Sequence, residues 1–91
     1  MIAKIKGKLI DLEGNKGYIE TQSGITYEVF LLPSIIKTNA LNKPLEIFTH
    51  FVVREDTQAL YGFENKTEIN LFRMLLGISG IGPKVAFGVI S

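Results

Sequence analysis

A chain of 91 residues has room for one small domain and a short appendage, which excludes a large enzyme of several domains. Ten Lys and Arg against nine Asp and Glu leave a formal charge of +1, so no global basic field advertises a nucleic acid and any such contact must be local. The absence of cysteine removes disulfides, thiolate metal sites and cysteine nucleophiles together, and fits the reducing cytoplasm, the expected location. With 46% of its residues hydrophobic, so small a chain cannot hide them all in its own core, and oligomerisation or a covering segment is expected.

In chain order, strands come first. From Ala3 to Leu9, small or apolar residues alternate with Lys4, Lys6 and Lys8, the period of a strand with one wet face. The opening carries lysines among its apolar residues and does not read as a signal peptide. Glu13 to Gly17 supplies a turn, and two β-rich runs follow, Tyr18–Gln22 and Ile25–Leu31, separated by Ser23-Gly24. Pro33 to Thr38 permits a helical turn or two, a connector rather than a core helix, before Asn39 to Lys43 turns the chain. The runs Leu45–Arg54 and Gln58–Phe63 make a second hairpin around Glu55-Asp56-Thr57. Five short strands with a helical insert after the third predict a mainly β fold, a five-stranded barrel of OB type, with an open meander as the alternative.

At Asn65 the period changes. Asn65 followed by Glu68 starts a helix in the manner of a capping box, and Ile69, Phe72, Leu75 and Leu76 predict that it runs over Lys66–Leu76. The run Gly77 to Gly82 breaks it. Pro83 then suits the first position of a second helix, with Val85, Ala86, Val89 and Ile90 on one apolar face. The stretch Met74–Ser91 carries only Lys84 as a charge, but Gly77, Gly80, Gly82 and Pro83 interrupt it and argue against a membrane span. The expected division is a barrel over residues 1–63 and a helical appendage over 64–91.

Catalytic chemistry is poorly supplied. His50 is the single histidine, it falls inside a predicted strand, and nothing stands at triad or metal-ligand spacing from it; no catalytic residue, metal or cofactor is expected. Gly77 and Gly82 have the separation of a P-loop, yet Pro83 precedes Lys84 and no Ser or Thr follows to hold magnesium. Gly80-Ile81-Gly82-Pro83-Lys84 instead offers a tight turn into a helix N-terminus, where free amides, the helix dipole and Lys84 suit one phosphate. Ile81 would bury itself between the two helices, and a side chain at Gly82 would hinder close approach and strain any positive φ there. An ordinary corner between helices fits the same spacing equally well.

Three further features stay open at this point. Lys4, Lys6 and Lys8 could track a nucleic-acid backbone, although a solvated sheet face is commoner. Among Tyr18, Tyr27, Phe30, Phe48, Phe51, Tyr61 and Phe63, which could stack bases, Phe51, Tyr61 and Phe63 lie in apolar contexts that favour core packing. Glu55-Asp56 is either a solvated hairpin tip or a pair placed to repel a polyanion.

The segment THFVVREDTQALYGFENKTEINLF followed by GISGIGPKVA, with the MIAKIKGKL opening and TYEV, closely resembles the RuvA family of Holliday-junction-binding subunits of bacterial branch-migration complexes. The resemblance covers the whole chain, but only the N-terminal OB domain and the first of the family's two helix-hairpin-helix elements. It implies a homotetramer that holds a four-way DNA junction open in recombination and repair while a RuvB-type ATPase motor drives the arms, with no catalysis of its own. By motif, Gly80, Ile81, Gly82 and Lys84 match the first phosphate-binding hairpin. Glu55 and Asp56 match an acidic pin at the junction centre, beside Arg54 as a possible backbone contact. The second hairpin and the motor-docking domain of the family have no counterpart in these residues. A protein-interaction or oligomerisation module without DNA binding of its own is the alternative from another class.

Overall fold

The computed structural model describes residues 2–91. The lysine alternation at the start does form a strand, β1 (Lys4–Glu13), but the strand runs four residues beyond Leu9. A bulge between Leu9 and Asp11 breaks the alternation there, which hides the continuation from a strict period-2 reading. The bent strand serves two partners: Lys4–Lys8 pairs antiparallel with β4 (Pro44–Arg54), and Lys8–Glu13 with β2 (Lys16–Glu20). The turn shrinks accordingly from the expected five residues to Gly14-Asn15.

β2 continues antiparallel to β3 (Thr26–Leu31), and β3 pairs parallel with β5 (Thr57–Phe63), which returns antiparallel to β4. The order β1-β2-β3-β5-β4 is a closed barrel, consistent with an OB fold, and it leaves the meander without support. Ile5, Leu9, Ile19, Val29, Leu31 and Ile47 fill the interior. Space there is short enough to demand glycine: a Cβ on Gly7 would lie 2.3 Å from the Glu20 carbonyl oxygen. The helical insert α1 (Pro33–Thr38) has the predicted place and length, yet it is more than a connector, because Leu32 and Ile35 are fully buried in the same core.

β5 is buried on both faces. Leu60 and Gly62 face the barrel interior, where a Cβ on Gly62 would come within 2.8 Å of Ile47 Cδ1. Tyr61 and Phe63 face outward onto two helices, α2 (Lys66–Leu76) and α3 (Pro83–Ile90). Phe72 of α2 lies 5.0 Å from the Phe63 ring and 5.2 Å from Tyr61, and Phe87 of α3 lies 5.0 Å from Tyr61.

The bounds of α2 are those its periodicity predicts, and the Asn65 side chain accepts from the Glu68 N–H at 2.9 Å. The Glu68 carboxylate accepts in turn from the Glu64 N–H, one residue earlier than in a capping box. The apolar residues of α3 divide between two faces. Ala86 and Phe87 are its buried residues, whereas Val85 and Val89 are 57% and 63% exposed. Phe87 draws the helix onto the aromatic cluster, because a ring buries more apolar surface there than a valine would.

His50, on β4, sits between barrel and helices. Its ring meets Phe72 edge-on at 5.5 Å, and its Nδ1 accepts from the Arg73 Nε–H at 3.2 Å. Burial and then the Arg73 charge hold its pKa below the usual imidazole value. The fold therefore favours neutral His50, and the stability this gives is complete above the unfolded pKa of about 6.5 and lost as pH falls through the lower folded value. Urea unfolding from pH 7.5 to 5 should show a loss in the wild type below pH 6.5 that His50→Gln does not share; parallel curves would remove His50 from the pH dependence.

Candidate nucleic-acid interface

The glycine turn builds a helix start without a cap. Gly77 ends α2 with its N–H on the Met74 carbonyl at 3.1 Å, and the Ile81 N–H bonds the Ile78 carbonyl at 3.1 Å to close the corner. Ile81 is half-buried against the core, which anchors the turn as its sequence position suggests. Gly80 takes the positive φ, +86°, whereas Gly82 has φ −91° and ψ 175° as the N-cap of α3. The expected left-handed strain thus belongs to Gly80 and not to Gly82. A Cβ at Gly82 would meet nothing within 4 Å, so the space immediately around it is open. Pro83 occupies the first turn, no side chain caps it, and the first helical donors, the amides of Lys84 and Val85, have no intrahelical acceptor.

The β4–β5 hairpin brings a second wall to this helix start. Arg54 and Thr57 close the hairpin as its last pair, with Glu55-Asp56 as the two-residue turn. Neither acidic residue has a positive φ, so backbone geometry alone does not demand them. Both are exposed, and the Thr57 hydroxyl donates to Asp56 Oδ1 at 3.2 Å. Below the tip, a groove of about 320 Å³ runs between Arg54, Thr57 and Tyr61 on the barrel side and Gly82, Pro83 and Lys84 on the helix side. The structure therefore places Arg54 with Gly82 and Lys84, while Glu55 and Asp56 stand beyond the groove at its acidic end.

Tyr61 is a residue that sequence reasoning favoured for the core while leaving base stacking open. It is 5% exposed and stacked in the aromatic cluster, and it also lines the groove. Burial raises its hydroxyl pKa, and Arg54 opposes that shift, which puts the guanidinium within electrostatic reach of the phenol. The available signal was positional: Tyr61 follows Arg54 around a two-residue turn, so the two stand on adjacent paired strands.

The lysine stripe does not join this groove. Lys4 is tied to Glu46 at 2.7 Å and lies over the Phe48 ring. Lys6 and Lys8 line a separate, shallow concavity of about 830 Å³ with Glu20 and Thr21. Carboxylates gather around Tyr18: its hydroxyl donates to Glu13, and that bond, burial and the Glu13, Glu28 and Asp11 charges push its pKa up to about 12. Among the described residues no His, Cys, Asp and Glu cluster fits a metal ion, and no helix is long and apolar enough to cross a membrane.

The model of the RuvA N terminal domain family matches residues 1–62, the barrel. The chain belongs to the RuvA family. Among curated relatives named Holliday junction branch migration complex subunit RuvA, that of Shewanella loihica is 45% identical and that of Colwellia psychrerythraea 44%. A third, from Marinobacter nauticus, is 38% identical. Each alignment takes in the whole chain but only 43–44% of the relative, so the chain spans less than half the length of the RuvA subunits it matches.

The two glycines separate in a stability measurement. Gly80→Ala puts a side chain at φ +86° and should cost about 1–2 kcal/mol, whereas Gly82→Ala should cost less than about 1 kcal/mol. Urea unfolding of both variants checks this; equal losses would contradict the assigned geometry.

Proposed function

We propose that this chain is the junction-binding part of a RuvA subunit: an OB-fold barrel over residues 1–63 and, over residues 64–91, a first helix-hairpin-helix that grips the DNA backbone. The observation that carries the reading is the groove that unites Arg54, Lys84 and the uncapped start of α3 beside the acidic tip. Open amides and two cations suit a phosphate whatever the base, so recognition is of backbone and shape rather than of sequence. The subunit is a non-catalytic scaffold of the cytoplasm. It works as a homotetramer on a four-way junction with a RuvB-type motor. Val85 and Val89, exposed here, are where the remaining helices of that domain pack.

Glu55 and Asp56 act by repulsion. At about 4 Å two unit charges interact by roughly 1 kcal/mol in water and roughly 4 kcal/mol at a surface dielectric near 20, so the tip penalises any phosphate pressed onto it. A duplex running across the tip incurs that cost. The strands of an open junction diverge and pass on either side, and the pair therefore selects junction over duplex.

Two measurements test the proposal. Binding of this chain to a four-way junction should weaken steeply with salt, because phosphate contacts release counterions; an assembly module would show no DNA binding to titrate. In the full-length tetramer, Glu55→Gln with Asp56→Asn should raise duplex affinity more than junction affinity, by a margin that shrinks as salt screens the repulsion. Unchanged discrimination would return the pair to the role of a solvated turn.

A further inference from the structure

Tyr61 has a polar group that neither the core nor the glycine turn uses. Its ring is held by Phe30 at 5.2 Å, Phe72 at 5.2 Å and Phe87 at 5.0 Å, which fixes where the hydroxyl stands. The residue is 95% buried, yet no group among the described residues hydrogen-bonds the hydroxyl, and it keeps contact with solvent. The oxygen itself is not buried, so it is free to take a partner from outside the chain. Tyr61 lines the groove of Arg54 and Lys84, and it also borders a second cleft that Lys84 lines.

We propose that Tyr61 contacts DNA directly: its hydroxyl donates to a phosphate oxygen in this groove, so that barrel and helix hold one phosphodiester from two sides. The inference rests on the phosphate reading of the α3 start and adds to it a second wall. A phosphodiester has two non-bridging oxygens. The amides of Lys84 and Val85 approach one from the helix, and Tyr61 with Arg54 approaches the other from β5 and β4. A tyrosine phenol is protonated at neutral pH and burial favours that form, so it is available as a donor. Val52 and Ala59 give the same groove an apolar lining, which suits the carbon face of the adjoining sugar.

A neutral donor and a cation leave different marks on a salt titration. Lys84 displaces a counterion from the phosphate it meets, whereas a phenol strengthens binding without displacing one. Tyr61→Phe keeps the ring and removes only the donor. Against a labelled four-way junction, Tyr61→Phe should bind about tenfold more weakly at every salt concentration, with an unchanged slope of log affinity against log salt and an unchanged melting temperature. Lys84→Met should bind more weakly with a slope flatter by about 0.9. Phe30→Leu, which loosens the same ring stack and keeps the hydroxyl, should bind within about twofold of the wild type, well inside the loss expected for a hydrogen bond. Wild-type affinity in Tyr61→Phe beside a weakened Lys84→Met would overturn the role of Tyr61 alone. An unaffected Lys84→Met, or a wild type without salt-dependent binding, would overturn the phosphate reading and this inference with it. Equal losses in Phe30→Leu and Tyr61→Phe would make the effect one of packing and overturn the contact.

Discussion

The aromatic seam along β5 is the constraint on which the rest of the structure depends. Tyr61 and Phe63 project from a strand whose other face fills the barrel, and they receive Phe72 and Phe87 from the two helices. Burying such a side chain is worth about 1.5–3 kcal/mol, and a well-oriented ring pair adds about 0.5–1.5 kcal/mol. Short helices of eleven and eight residues could not persist in water by their own propensity. They are helices because the seam gives them a surface to cover. The same rings orient the start of α3 toward Arg54, so the groove inherits its geometry from the core.

That dependence explains which features could be read from the chain alone. The bounds of α2 follow from local signals, the Asn65 cap at one end and Gly77 at the other, and these need no tertiary information. Pro83 at the start of α3 is equally local. The face of α3 is not local: Val85 and Val89 are as apolar as the buried residues, and only the position of Tyr61 makes Phe87 the anchor. The extension of β1 beyond Leu9 escapes notice for a related reason, since the bulge that lets one strand pair with both β2 and β4 interrupts the alternation by which strands are recognised.

The candidate site divides the same way. Gly80, Ile81, Gly82 and Lys84 are adjacent in sequence, and their spacing alone suggests a turn into a helix N-terminus. Which glycine carries the positive φ depends on how Ile81 is seated against the core, and the spacing carries no trace of it. The union of Arg54 and Tyr61 with Lys84 is tertiary throughout, made by a hairpin and a helix that start far apart along the chain. Tyr61 illustrates the limit well: an aromatic residue in an apolar run reads as core, which it is, and its one polar atom at the surface of that core leaves no mark on the pattern.

A formal charge of +1 now has a spatial meaning. Lys4 and Lys16 are matched to Glu46 and Glu28 on neighbouring strands, and carboxylates gather around Tyr18. Arg54 and Lys84 stand instead around an open groove, with Glu55 and Asp56 next to it at the hairpin tip. On the proposed reading, attraction and repulsion toward the same polyanion are set side by side on one hairpin. Attraction alone would favour whichever DNA presents the most phosphates, which is a duplex lying flat. On that reading a repulsive tip would lower affinity for that arrangement and spare a path that bends away, trading strength of binding for choice of path. The trade requires the tip and the groove to keep a fixed relation. The two-residue turn, the paired ends of β4 and β5, and the ring of Tyr61 beneath them supply that rigidity.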